Sequence, residues 1–153
     1  MPVDVKTEVR IERPRSEVAA YAADPDNATA WYENIKSVDW RSPRPLAVGS
    51  KVEFVAEFLG RRLAYIYEVK ELVRGERLVM RTAEGPFPME TTYTWDDAGD
   101  ATVMTLRNRG APSGFSRIAS PLMARAMRRA NAKDLARLKA ILEETPRPSS
   151  DAQ

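Results

Sequence analysis

Neither histidine nor cysteine occurs in this 153-residue chain. Without cysteine there can be no disulfide, thiolate metal site or cysteine nucleophile. Without histidine the commonest general base and metal ligand is missing, and His-containing triads go with it. Only carboxylates remain for a metal, and none cluster at ligand spacing, so no metal is expected. No glycine-rich phosphate loop occurs either, and no cofactor is expected. No apolar run approaches a membrane span, and the opening "MPVDVKTEVRIE" lacks an apolar signal core. The expectation is a cytoplasmic protein with no integral membrane association.

What is present is a globular balance, 43 % hydrophobic and 30 % charged, which argues against disorder. The 24 basic and 22 acidic residues leave a net charge of +2, a balance that does not by itself call for a nucleic-acid partner. The length suits one domain, residues 1–144, followed by a disordered tail "TPRPSSDAQ" at 145–153. Nothing in the sequence fixes an oligomeric state.

"VDVKTEVRIE" alternates, with Val3, Val5, Thr7, Val9 and Ile11 on one face. That is the pattern of a half-buried strand. "RPRSEVAAYAA" changes to a helical period, with Pro14 and Ser16 at its start and Val18, Tyr21 and Ala22 on one side. Asp24-Pro25 ends that helix, because the residue before proline is pushed out of helical geometry. A second short helix is predicted from Asn27 to Ile35, capped by Asn27, with Trp31 and Ile35 inward. From Lys36 to Arg109 short alternating runs separated by turn residues predict an antiparallel meander.

A long helix is predicted from Gly114 to Glu144. Between Ala111 and Ala140 it holds seven Lys/Arg and one acid, Asp134. Phe115, Ile118, Leu122, Met123, Ala126, Met127 and Ala130 share one side, continued by Leu138, Ile141 and Leu142; Arg117, Arg125, Arg128 and Lys139 fall opposite. The apolar stripe needs a cover, and the concave face of the sheet is the large apolar surface available. The arginines then lie where an exposed face would put them, and no exposed aromatic or reading motif accompanies them.

The order strand, two short helices, six strands and long helix resembles the helix-grip fold of the START-like, or SRPBCC, superfamily. The detail looks like its bacterial "polyketide cyclase/dehydrase and lipid transport" branch. The carrying stretches are "IERPRSEVAAYAADPDNATAWYENI", "GRRLAYIYEV" and "GPFPMETTYTWDDAGDATVMTLRNRG", within a match over about residues 3–143. The resemblance implies an α+β fold, a curved antiparallel sheet of about seven strands around a long C-terminal helix. It also implies a cavity between sheet and helix for a hydrophobic ligand, to which some members add catalytic groups.

Strand parity independently lists the side chains facing the helix. They are Phe54 and Phe58; Tyr65 and Tyr67; Met80 and Thr82; Phe87, Met89, Thr91, Tyr93 and Trp95; and Thr102, Met104, Leu106 and Asn108. Met123 and Met127 face them from the helix, and Trp31 from the second short helix. Each strand's set stands or falls together, because a one-residue slip inverts it. Five of the six methionines are in this set, and methionine suits adaptable apolar surfaces. The tyrosines and Asn108 add polar ends to what is otherwise an apolar chamber. Trp31, Phe54, Phe58, Tyr65, Tyr67, Met80, Met89, Thr91, Tyr93, Met104, Leu106, Asn108, Met123 and Met127 are therefore the candidate ligand contacts; the bland alternative is plain core filling.

Catalysis needs a titratable group inside. Glu53, Glu57, Glu68 and Glu90 fall on the outward parity. Asp134 borders the inner stripe, with pairing to Arg137 or a solvated position expected. Tyr65, Tyr67 and Tyr93 are the candidate proton donors. The leading expectation is a binding or transport protein for a hydrophobic or aromatic small molecule, lipid- or polyketide-like. The alternatives are a polyketide cyclase/dehydratase using those tyrosines, and a membrane- or nucleic-acid-associated module using Arg117, Arg125, Arg128 and Arg129.

Overall fold

The computed structural model describes residues 3–85, 88–110 and 120–144. Phe87, Phe115, Arg117, Ile118, the predicted helix start at Gly114 and the tail 145–153 lie outside the described residues. The elements are β1 (Val3–Ile11), α1 (Arg15–Ala22), a 3-10 turn (Pro25–Asn27), α2 (Ala28–Trp31), β2 (Ile35–Trp40), β3 (Lys51–Phe58) and β4 (Arg61–Val73). They continue with β5 (Arg77–Glu84), β6 (Met89–Ala98), β7 (Ala101–Gly110) and α3 (Ser120–Glu144). The seven strands form one antiparallel, curled sheet in the order β1-β7-β6-β5-β4-β3-β2. Strands β2 to β7 are a meander, and β1 joins its far edge by pairing with β7. The segment holding α1 and α2 thus carries the chain from one edge of the sheet to the other.

The strand signals translate directly. Val3, Val5 and Ile11 of β1 are buried while the charges between them face water. Three register shifts interrupt the pattern, one of them between Ile66 and Tyr67. Ile35 and Val38 are an odd number of residues apart yet both pack on the core, which the shift of register between Ile35 and Ser37 permits. The third shift, between Val69 and Glu71, brings Leu72 to the same side as Val69.

At the first helix the prediction holds: Asp24, preceding Pro25, has an extended ψ of 113°, and its side chain accepts the Asp26 amide at 3.0 Å. The second helix is shorter than predicted. It ends at Trp31, Tyr32 is already extended, and Ile35 opens β2. Asn27 does stand at its N-cap position, but its side chain makes no capping bond; its Nδ2 donates instead to Tyr21 O at 3.1 Å.

From α3, Met123, Leu135, Leu138 and Leu142 are buried against the sheet. Leu122 is 59 % exposed, so the predicted stripe is one residue narrower at that point. Arg125, Arg128 and Arg129 are exposed. Lys139 is not simply solvated: its Nζ donates to Arg10 O at 2.7 Å and pairs with Glu143. Glu143 also accepts the Glu12 amide at 2.8 Å, and Arg13 donates to the Glu143 carbonyl at 2.7 Å. These bonds fasten the last two turns of α3 to the end of β1.

Candidate ligand cavity

Register decides which side chains meet on the inner face. Phe54 lies directly across from Tyr65, and their neighbour Tyr67 stands edge-on to Phe54, ring centres 5.8 Å apart. Met80, Thr91 and Asn108 form one row across β5, β6 and β7. Leu78, Tyr93 and Leu106 form the next row, and Trp95 pairs with Met104 beyond it.

Between these rows and α3 lies a cavity of about 170 Å³. Its sheet wall includes Phe54, Phe58, Leu63, Tyr65, Tyr67, Met80, Met89, Thr91, Tyr93 and Asn108; α3 supplies Met123, Met127, Ala130, Asn131 and Asp134. Tyr32, Asn34 and Ile35 close one end. An apolar cavity of about 150 Å³ takes benzene, so one or two fused aromatic rings match this space. Three of the residues expected at the wall do not reach it. Trp31, Met104 and Leu106 are fully buried in the packed core, Trp31 stacking at 4.0 Å behind Tyr32. The boundary between core and cavity falls between the Met80 row and the Leu78 row, with the long Tyr93 side chain reaching across.

Four polar features stand on this wall. The Tyr32 and Tyr93 hydroxyls are 2.6 Å apart. Thr91 Oγ1 donates to Asn108 Oδ1 at 2.9 Å, and Tyr67 is bonded to Thr91. Asp134 Oδ1 accepts the Glu33 amide at 3.0 Å. Asn131 is 7 % exposed, and its Nδ2 is buried with no hydrogen-bond partner among the described residues.

Burial pushes the Tyr67 phenol up to about 12 and those of Tyr32, Tyr65 and Tyr93 upward as well. All four stay protonated at neutral pH, so they can donate hydrogen bonds but cannot act as bases. Asp134 was expected to pair with Arg137 or meet solvent; it is instead 3 % exposed and held by the Glu33 amide. Burial raises its pKa to about 6 against the lowering effect of that bond, with the Glu33 charge raising it further and Arg137 and Lys133 opposing. The strand acids keep the outward parity: Glu53 pairs with Arg41 at 3.1 Å, and Glu90 with Arg81.

Sequence reasoning missed Tyr32, Asn34 and Asn131. Continuing α2 to Ile35 left Tyr32 off the inner side. Asn131 had a visible signal: Met127, Asn131, Asp134 and Leu138 run at steps of four, three and four, so two polar residues interrupt an apolar stripe.

A second cleft of about 460 Å³ lies beneath α1, bordered by Trp40, Arg44, Leu46, Leu72, Arg74 and Trp95. Its rim is largely self-satisfied. Asp26 accepts from Trp40 Nε1 at 2.8 Å and twice from Arg44 at 3.0 Å, and Arg74 donates to Leu46 O at 2.9 Å. Trp95 Nε1, at the floor of this cleft, is buried without a hydrogen-bond partner among the described residues.

The sequence matches the "Polyketide cyclase / dehydrase and lipid transport" family over residues 2–143. The chain belongs to that family. No curated protein sequence matches it. Solved structures share the fold at low identity. A protein from Thermus thermophilus aligns at 20 % identity, TM-score 0.77, over 94 % of this chain and 99 % of that one. A START superfamily protein from Mycobacterium smegmatis aligns at 14 % and 0.78, over 92 % and 97 %. The ZhuI aromatase/cyclase from Streptomyces sp. R1128 aligns at 14 % and 0.78, over 97 % and 98 %. Family membership places this chain in the START-like superfamily with a helix-grip fold. Among the described residues no helix is long and apolar enough to cross a membrane, and no group of three or more acids could hold a metal.

Proposed function

We propose that this protein binds and carries a hydrophobic, aromatic small molecule in the cavity between the sheet and α3, in the cytoplasm. The supporting observation is the wall itself: aromatic and methionine side chains from four strands and α3, with a few polar groups at fixed points, enclosing about 170 Å³. Burying about 200 Å² of ring surface contributes about 5 kcal/mol before the costs of association, so affinity for a bare ring is modest and the polar groups set selectivity. Native mass spectrometry of the purified protein is expected to show a bound molecule that leaves on unfolding, or saturable uptake of an added aromatic hydrocarbon. Finding neither refutes the carrier reading.

A cyclase or dehydratase acting on a polyketide-like substrate is the second reading. It is favoured by one observation, a carboxyl group with a pKa of about 6 on the cavity wall. In that reading Asp134 moves the proton, and Tyr65, Tyr67 and Tyr93 orient the substrate as donors. Turnover of a poly-β-ketone that survives Asp134→Asn and all three Tyr→Phe changes removes it. The basic face of α3 remains a solvated surface in both readings, with no nucleic-acid partner.

A further inference from the structure

We infer that the cavity selects a ligand bearing a neutral hydroxyl on an aromatic ring, recognised jointly by Asn131 and Asp134. The inference rests on the binding reading above and names its ligand class. Both residues line the cavity, and each is more than nine-tenths buried. Three residues apart on α3, they are neighbours on its inward stripe.

Their remaining hydrogen-bonding capacities are complementary. Asn131 Nδ2 is a buried donor with no partner among the described residues. Asp134 spends Oδ1 on the Glu33 amide, and among the described residues nothing donates to Oδ2. Buried polar groups are normally satisfied. A donor and an acceptor side by side on an otherwise apolar stripe therefore fit one group that supplies both functions. The Tyr32–Tyr93 pair behaves similarly: one proton makes the mutual bond, and the second O–H is left to serve a third group.

Other ligand chemistries fit less well. Among the described residues no Lys or Arg lines the cavity wall, so a carboxylate or phosphate would stand uncompensated by them beside Asp134. A cation would suit Asp134 but would face the Asn131 N–H and the spare tyrosine O–H. A ketone offers acceptors alone. A phenolic hydroxyl donates to Asp134 Oδ2 and accepts from Asn131 Nδ2 through one atom. The charged groups acting on Asp134, namely Glu33, Lys133 and Arg137, do not line the cavity and do not compete for that atom.

Calorimetric titration with naphthalene, 2-naphthol and 2-naphthoate at pH 7.5 tests this. An apolar cavity without a polar recognition point would prefer naphthalene, the more hydrophobic probe. Here 2-naphthol is expected to bind at least tenfold tighter than either of the others. Asn131→Leu and Asp134→Asn are each expected to reduce its advantage over naphthalene to less than threefold. Each variant's selectivity is read as its own ratio of 2-naphthol to naphthalene affinity, so a change in naphthalene affinity does not enter, and a cooperative thermal melt reports that the variant stays folded. Naphthalene binding with no preference for naphthol in the wild type overturns the hydroxyl assignment and leaves the carrier reading standing. A preference that persists in both variants overturns the assignment to Asn131 and Asp134. Binding of none of the probes overturns the carrier reading and this inference together.

Discussion

The hydroxyl of Tyr32, just beyond α2, lies 2.6 Å from the hydroxyl of Tyr93 on β6. This bond ties the short-helix segment to the sheet at the end of the cavity. Replacing either tyrosine by phenylalanine leaves the other phenol without its partner, at a cost of about 1–3 kcal/mol. The double variant removes both polar groups and is expected to cost clearly less than the sum of the two. Urea denaturation of the three variants measures the coupling; strict additivity would contradict it.

Asp134 gives stability a defined pH dependence. Its folded pKa, about 6, exceeds the ordinary 3.8, so between these values the folded chain binds more protons than the unfolded one. Stability from this group is therefore present at low pH and lost as pH rises through about 6. The full difference amounts to about 3 kcal/mol. Asp134→Asn keeps an acceptor for the Glu33 amide and is expected to raise the melting temperature at pH 7.5, with the gain fading toward pH 4. A gain independent of pH would show that the carboxylate is not the source.

The line between core and cavity predicts unequal costs for two methionines. Met104 is fully buried beside Trp95, and Met104→Ala is expected to cost about 2–5 kcal/mol. Met127, half-buried on the cavity wall, already lacks packing partners on one side, so Met127→Ala is expected to cost less than about 1 kcal/mol. Equal shifts in urea midpoint would place the cavity wrongly.

Gly110 closes β7 where the chain runs against the start of β6. A Cβ there would lie 2.5 Å from the Pro88 carbonyl oxygen, a backbone atom that cannot swing aside. Gly110→Ala is expected to destabilise by about 1–3 kcal/mol, read from its denaturation midpoint.

Fold and inner face were legible because period two is a local property. On β6 and β7 no bulge interrupts the alternation, so Thr91, Tyr93 and Asn108 could be assigned to the inner side without further information. Depth along the strand is not local. Whether a position on the correct face meets a cavity or a neighbour depends on what α3 places opposite it, and that separated Met80 from Met104. The end of α2 was hidden for the same reason, since the Glu33 amide finds its acceptor on Asp134, 101 residues away. The two polar residues inside the apolar stripe of α3 were visible in the spacing, and Asn131 was passed over because the stripe was read for its apolar members.

The attachment of α3 is lopsided. Among the described residues its side-chain bonds to other elements come from Asp134, Lys139 and Glu143, while Met123 to Ala130 meet the sheet through apolar contact alone. A guest too large to slip between fixed walls would therefore enter by the leading half of the helix tilting away, pivoting on the bonded half like a door on its hinges. Amide exchange is expected to be faster before Asn131 than after it, with the contrast shrinking once the chamber is filled.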